Sequence, residues 1–239
     1  MKNIEILFED DVILVVNKPA GITVIPERFN TENKSIQAQL ETKHGKLFVV
    51  HRLDRDTSGV LCFAKNEVAH KNISLQFENR TTQKFYTAFV KGRMEGKAGE
   101  IDAPILENPS KLGTMKIHPK GKEALTLFEV QEQFKHVALL WVEIKTGRTH
   151  QIRVHFASAE HPLLVDPVYA KTDNFLLSSI KKKYKQTDEA ERPIISRLTL
   201  HASKLILNHP ISNQLLTFEA PLPHDLHALL KVLRKYDSI

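Results

Sequence analysis

The chain has 239 residues, 41% hydrophobic and 26% charged, the balance of a globular protein long enough to bury a substantial core. One cysteine, Cys62, excludes an internal disulfide and a multi-cysteine zinc site and fits a reducing, cytoplasmic compartment, while no apolar run approaches the roughly 20 residues of a membrane span and the first five residues carry no signal-peptide apolar region. The formal net charge of +6 favours a polyanionic partner through phosphate contacts and counterion release.

In chain order, residues 4–8 and 12–16 are β-rich runs that read as an opening hairpin. Asn17-Lys18-Pro19-Ala20-Gly21 then breaks the pattern with a turn. Residues 35–43 predict a short helix with Ile36 and Leu40 on one face. Residues 47–50 and 60–64 are short apolar runs that predict buried strands, and residues 66–77 predict a helix with Ile73 and Phe77 on one face. Residues 83–91 alternate as a strand, with Phe85, Thr87 and Phe89 on one side and Tyr86, Ala88 and Val90 on the other. Residues 92–99 read as a polar loop, and 124–131 and 137–145 as further strands. Residues 146–150 form a polar turn in which Thr149 is placed to cap a helix over about 150–158. The stretch 171–192 is polar and poorly periodic and predicts an insertion, with a helix around 174–183. Residues 198–207 return to core-like sequence. Pro221-Leu222-Pro223 introduces a last helix whose Leu226, Leu229, Leu230 and Leu233 form an apolar stripe for core contact. The elements do not alternate strictly as βαβ, which predicts an α+β class in one continuous domain over 1–239.

Between the strands at 47–50 and 60–64 lies His51-Arg52-Leu53-Asp54-Arg55-Asp56-Thr57-Ser58-Gly59. It sets two arginines, two aspartates and a histidine at the end of a sheet, where they must pair to be desolvated cheaply. Basic charge is also concentrated elsewhere. Lys111, Lys116, Lys120 and Lys122 fall in an acid-free run over 110–122, and Lys181, Lys182, Lys183 and Lys185 form a second cluster. Each alone reads as a solvated face; together they point towards a nucleic-acid surface.

The nonapeptide resembles the HRLDxxTSG motif of the RluA-type pseudouridine synthases, in which the aspartate is catalytic. Four further segments resemble motifs of the same family in the same order. Asn17–Gly21 looks like its NKPxG turn, Lys84-Phe85-Tyr86-Thr87-Ala88 like its KxYxA strand, Thr146-Gly147-Arg148-Thr149-His150-Gln151-Ile152-Arg153-Val154-His155 like its TGRTHQIRVH segment, and Leu200-His201-Ala202 like its LHA strand. The resemblance runs from about residue 12 to 221. It implies an α+β fold with a mixed, largely antiparallel sheet flanked by helices and an RNA cleft along the middle. It implies an isomerase that converts uridine to pseudouridine in ribosomal or transfer RNA, with no cofactor and no metal. On the same resemblance Asp54 is the catalytic carboxylate, Tyr86 lines the active site, and Arg153 is the ion partner that keeps Asp54 charged. RNA contacts are expected from Arg52, Arg55, Lys116, Lys120, Lys122, Arg148 and His150. One of Arg52 and Arg55 should structure the loop and the other approach phosphates or the space left by a flipped base; the residues do not say which. Asp56 is expected to bond amides of its own turn. Whether Asp54 attacks the sugar, adds to the base or removes a ribose proton is likewise open.

The family often carries an N-terminal S4 RNA-binding domain; with NKPAG starting at residue 17, none is expected here, and the chain should act as a monomer. The family's usual HPLLGDxxYG turn reads His161-Pro162-Leu163-Leu164-Val165-Asp166-Pro167-Val168-Tyr169-Ala170, with Val165 and Ala170 where glycines are expected, so a changed turn geometry is anticipated. Two other classes were weighed. A metal-dependent hydrolase would use some of the 12 histidines, but there is no HExxH, HxH or paired carboxylate pattern. A non-catalytic RNA-binding module would not require Asp54, Tyr86 and Arg153 together.

Overall fold

The computed structural model describes residues 4–26, 35–182, 184 and 189–239. The chain divides into two compact units: Met1–Phe85 with His201–Pro221, and Tyr86–Leu200 with Leu222–Ile239. The class is α+β with a mixed, mostly antiparallel sheet, as the resemblance implies.

In the first unit, β1 (Glu5–Glu9) and β2 (Ile13–Lys18) form the expected opening hairpin. Asp10 shapes its turn by accepting the amides of Val12 and Ile13 at 2.8 Å each. β2 pairs antiparallel with β4 (Ser58–Ala64), all of whose residues are buried, and β3 (Phe48–Val49) also pairs with β4. This two-sided burial explains why β2 and β4 read as continuous apolar runs. β4 then pairs in parallel with β11 (Leu200–Asn208), and β12 (Leu215–Glu219) lies antiparallel on β11. Helix α1 (Ile36–His44) begins where Ser35 Oγ accepts the Ala38 amide, and it buries Ile36 and Leu40 as their spacing predicts. Helix α2 (Glu67–Glu78) begins where Asn66 Oδ1 accepts the Ala69 amide at 2.9 Å. Its Ile73 joins Val15, Cys62, Leu205 and Phe218 in the core of the unit.

In the second unit, β5 (Gln83–Lys91), whose first residues lie in the first unit, has the bounds its alternation predicts, with Lys84, Tyr86, Ala88 and Val90 buried. The strand order runs from β5 to β10 (Val137–Ile144), β9 (Leu125–Gln133) and β6 (Ala98–Asp102). β7 (Ile105–Glu107) and β8 (Met115–Ile117) make a separate two-stranded hairpin that carries Lys111 and Lys116, with Lys120 and Lys122 in the segment that follows it. Helix α3 (Gln151–Ser158) follows β10, and helix α4 (His224–Tyr236) buries all four leucines of its predicted stripe against Phe89, Phe134, Val165 and Phe175.

Four expectations are corrected. The loop over 92–99 ends in a strand, since β6 starts at Ala98. β12 was not foreseen, because only Phe218 of its five residues is buried. The helix expected around 174–183 is a single 3-10 turn, Leu177–Ser179; Lys183 lies outside the described residues, as does Lys185 of the second lysine cluster. Thr149 does not cap α3: His150 occupies the cap position with φ 54° and no side-chain cap bond.

The junction of β4 with β11 is the tightest point of the first unit. Gly59 has φ +120°, and a Cβ there would lie 2.0 Å from the Ala202 carbonyl oxygen. Only glycine accepts both the backbone conformation and the approach. Gly59→Ala should therefore destabilise the protein by at least about 3 kcal/mol. Chemical denaturation should show the midpoint falling accordingly, and a loss under about 1 kcal/mol would mean that the two strands can separate at little cost.

Candidate active site

Asp54 sits half-buried on the loop between β3 and β4. On the entry side, His51 Nε2 accepts the Cys62 amide at 3.0 Å, and its ring stacks on Phe77 with centroids 4.7 Å apart. On the exit side, the Thr57 amide donates to the Asp54 carbonyl at 3.2 Å, and Thr57, Ser58 and Gly59 are buried. Ser58 Oγ lies 2.9 Å from His201 Nδ1, and His201 Nε2 lies 3.2 Å from the Ala220 carbonyl. That carbonyl can only accept, which assigns the proton to Nε2 and makes Nδ1 the acceptor of the serine hydroxyl. The histidine of LHA is thus the partner that locks the TSG end of the loop.

Beneath the loop lies Lys18, fully buried. Its ammonium donates to the carbonyls of Pro19 (3.0 Å), Ile22 (2.8 Å) and Arg55 (2.8 Å). The Gly21 amide donates to the same Arg55 carbonyl at 3.0 Å. The NKPAG turn and the Asp54 loop are therefore one body. Arg55 structures the loop through its backbone, while its side chain is exposed. Arg52 is exposed and makes no hydrogen bond or ion pair among the described residues. Asp56 is exposed and bonds none of its turn amides, against expectation, because the Thr57 amide is already taken by a backbone carbonyl.

In the second unit, Arg153 lies in the first turn of α3, 7% exposed. Its Nε and Nη2 fork onto the two carboxylate oxygens of fully buried Asp166 at 2.8 and 2.9 Å. Asp166 also accepts the amides of Val168 (2.8 Å) and Tyr169 (3.1 Å). Burial by itself would raise its pKa; the Arg153 bond and charge, with the two amides, override this and hold the carboxyl below the ordinary aspartate value. The resemblance implies Asp54 as the ion partner of Arg153; the carboxylate that Arg153 forks in the structure is Asp166. Gln151, the first residue of α3, fastens the preceding turn and leaves the helix without a side-chain cap. Its Oε1 accepts the Arg148 amide (3.0 Å) and the Thr146 hydroxyl (2.7 Å), and its Nε2 donates to Leu125 O and Thr126 Oγ1 at 3.0 Å each.

The remaining expected site residues of this unit divide in two. Tyr86 is buried on β5. Arg148 Nε donates to the Glu123 carbonyl at 3.0 Å, and His150 Nδ1 lies 2.9 Å from the Tyr169 hydroxyl, so both have structural partners besides any RNA contact. Lys120 and Lys122 are exposed and Lys116 is half-buried on β8. Asp54, Arg52 and Arg55 fall in the first unit, and Tyr86, Arg153 and the other expected RNA contacts in the second. Among the described residues no three metal-ligating side chains cluster, and no helix is long and apolar enough to cross a membrane.

Burial pushes the His51 pKa down to about 3, and the Lys84 charge adds to the shift. The unfolded chain takes up this proton near 6.5 and the folded chain only near 3, so the stability is full above 6.5 and falls as the pH drops between these values. The slope is at most about 1.4 kcal/mol per pH unit. His155 is lowered in the same direction, chiefly by burial. The carboxyl of Asp166, whose ordinary value is 3.8, loses its contribution only below that pH. His51→Gln should thus flatten the dependence of the denaturation midpoint on pH between about 4.5 and 6.5. An unaltered slope would place the acid-sensitive group elsewhere.

A model of the RNA pseudouridylate synthase family matches residues 12–158. The chain is 39% identical over 239 residues to ribosomal large subunit pseudouridine synthase D of Nitrosomonas europaea, covering 97% of this chain and 65% of the relative. Identity is 37% over 244 residues to the protein of the same name from Zymomonas mobilis (96% of this chain, 73% of the relative). It is 35% over 235 residues to an uncharacterised RNA pseudouridine synthase of Bacillus subtilis (95% and 72%). The chain thus spans 65% to 73% of the length of these relatives. The solved structure of human RNA pseudouridylate synthase domain containing 1 matches with a TM-score of 0.71 at 25% identity, covering 100% of this chain and 97% of that one. Human RNA pseudouridylate synthase domain containing 4 matches in fold with a TM-score of 0.72 at 24% identity, covering 96% and 93%.

Proposed function

The chain belongs to the RNA pseudouridylate synthase family, and from that premise we propose that it isomerises uridine to pseudouridine in ribosomal RNA, with Asp54 as the catalytic carboxylate. The observation that carries this reading is the frame around Asp54. Lys18, His51, Thr57, Ser58 and His201 each anchor the loop on which it stands, and Asp54 itself is half-buried at the surface of that frame. A group fixed by its surroundings and still reachable is what a reaction at a sugar and a base requires. The chemistry cleaves the glycosidic bond, turns the base and rejoins it through C5. It needs an ionised carboxylate and a pocket that retains the detached uracil, and no redox change. The family resemblance adds Tyr86 as a flat face for the base and Arg153 as the cation of the site.

The substrate follows from the relatives, two of which are named for the large ribosomal subunit. Transfer RNA is the second substrate class that the sequence resemblance allows. The uridine must leave its stack to react, at a cost of a few kcal/mol that is least for an unpaired nucleotide. Of the two arginines beside Asp54, Arg52 is the one assigned to RNA, because the Arg55 side chain turns back to the NKPAG turn, its Nε 3.5 Å from the Gly21 carbonyl, while Arg52 is exposed with no such contact among the described residues. The reading includes action in the cytoplasm and a monomer, the latter supported by the burial of the α4 stripe within its own unit.

Asp54→Asn should abolish isomerisation while leaving stability and RNA binding nearly unchanged. Tritium release from 5-tritiated uridine in ribosomal RNA measures it directly; retention of more than a few per cent of activity rules out Asp54 as the reacting carboxylate.

The lysines of the hairpin and the segment after it should supply affinity without sequence preference. Neutralising Lys116, Lys120 and Lys122 together should weaken RNA binding at low salt. It should also make the log-affinity against log-salt slope shallower by roughly 0.7–0.9 per lost contact. The rate at saturating RNA should change little. An unchanged slope in the triple variant would move the phosphate track to another surface.

A further inference from the structure

Tyr169 belongs to none of the matched motifs' expected site residues, yet three features of the arginine helix meet on it. Its hydroxyl lies 2.9 Å from His150 Nδ1 and accepts the Met115 amide at 2.8 Å. Its ring lies beneath the Arg153 guanidinium, 5.2 Å from centroid to Cζ. Its own amide donates to Asp166, the carboxylate that forks Arg153. Met115 is the first residue of β8, at the turn end of the β7–β8 hairpin, so the hydroxyl ties that end of the hairpin to the start of α3.

The start of α3 is where such a tie has leverage. His150 holds a left-handed φ of 54°, uncommon for a residue with a side chain, and α3 lacks a side-chain cap bond. A strained entry persists only when its surroundings determine it, and the Tyr169 hydroxyl is among the groups that do. Arg153 lies three residues on, so a shift of the helix start moves the guanidinium directly. The ring then limits the guanidinium from one face by a cation–π contact, while Asp166 limits its edge.

We propose that Tyr169 is a positioning residue that sets the place of Arg153 through two separable contacts: the hydroxyl on His150 and the ring under the guanidinium. This rests on the reading of Arg153 as part of the isomerase site. The test compares Tyr169→Phe, which keeps the ring and loses the hydroxyl, with Tyr169→Leu, which loses both. Single-turnover pseudouridine formation at saturating large-subunit ribosomal RNA, RNA affinity and thermal midpoint are measured on the full chain.

Tyr169→Phe should slow the saturated rate about tenfold and Tyr169→Leu about a hundredfold, the order that small misplacements at a site produce, with affinity changed less than about twofold. The His150 ring resonances should shift in both variants. A saturated rate equal to wild type in both variants overturns the proposal. So does a rate that falls only in step with affinity, or only with the fraction unfolded. Absence of any pseudouridine formation by the wild-type protein overturns the isomerase reading itself, an outcome distinct from normal wild-type turnover with indifferent Tyr169 variants.

Discussion

The geometry around Asp54 depends on an ammonium group sealed from water. Lys18 is fully buried, and taking a charge out of water costs several kcal/mol unless polar groups replace its hydration. Three carbonyls do so, one for each N–H: Pro19 and Ile22 from its own turn and Arg55 from the far loop. The match is geometric as well as electrostatic. An ammonium directs three donors from one atom, so it gathers three carbonyls around a point, where a planar guanidinium would spread them along an edge. The consequence is that residues 19–22 and residue 55 cannot move independently. Asp54 is next to the carbonyl so held, and its position is inherited from Lys18, which lies 37 positions from Arg55 in sequence.

The second unit solves a similar problem with an ion pair. Arg153 and Asp166 are both buried, and such a pair adds little net stability because desolvation offsets attraction. What it supplies is orientation, since two parallel bonds fix the guanidinium plane. The Val168 and Tyr169 amides satisfy Asp166 further, so that the carboxylate is itself held by the turn it closes. Gln151 completes the arrangement with four bonds that fasten the polar turn to β9. Most polar residues of the long motifs therefore build a frame, and few are left to meet a substrate.

Sequence pattern was sufficient wherever burial imposes a period. β5 alternates over its first residues because one face is covered there, and is buried on both faces from Ala88 to Val90; β2 and β4 are continuously apolar because both faces are covered, and α4 shows its stripe because one side enters a core. The strands that escaped notice, β6, β7, β8 and β12, are either only three residues long or largely exposed, and have no apolar period to display. The same reasoning separates the legible part of the site from the rest. The Asp54 loop announces itself by its charges between two apolar runs. Lys18, His201 and Asp166 do not, because their roles lie in contacts that local pattern cannot contain: Ser58 meets His201 across 143 positions, and Arg153 meets Asp166 across 13. Thr149 fits a cap by residue type, but His150 takes the cap position in the left-handed region and no side chain caps α3.

The turn that departs from the family pattern shows how a lost glycine is absorbed. Glycine is required where φ is positive or where a Cβ would collide. Neither Val165 nor Ala170 has a positive φ; the left-handed residue of this segment is Lys171, at 49°. Val165 is fully buried, its side chain packed with Phe89, Leu164 and the α4 leucines, so it contributes to the core where a glycine would leave space. The turn is closed by Asp166, whose carbonyl accepts the Ala170 amide at 3.0 Å and whose carboxylate accepts two more amides. Its shape is thus dictated by a side chain already held by Arg153. Backbone freedom at positions 165 and 170 is not what the turn relies on, and the anticipated change of geometry need not extend to the arginine it supports.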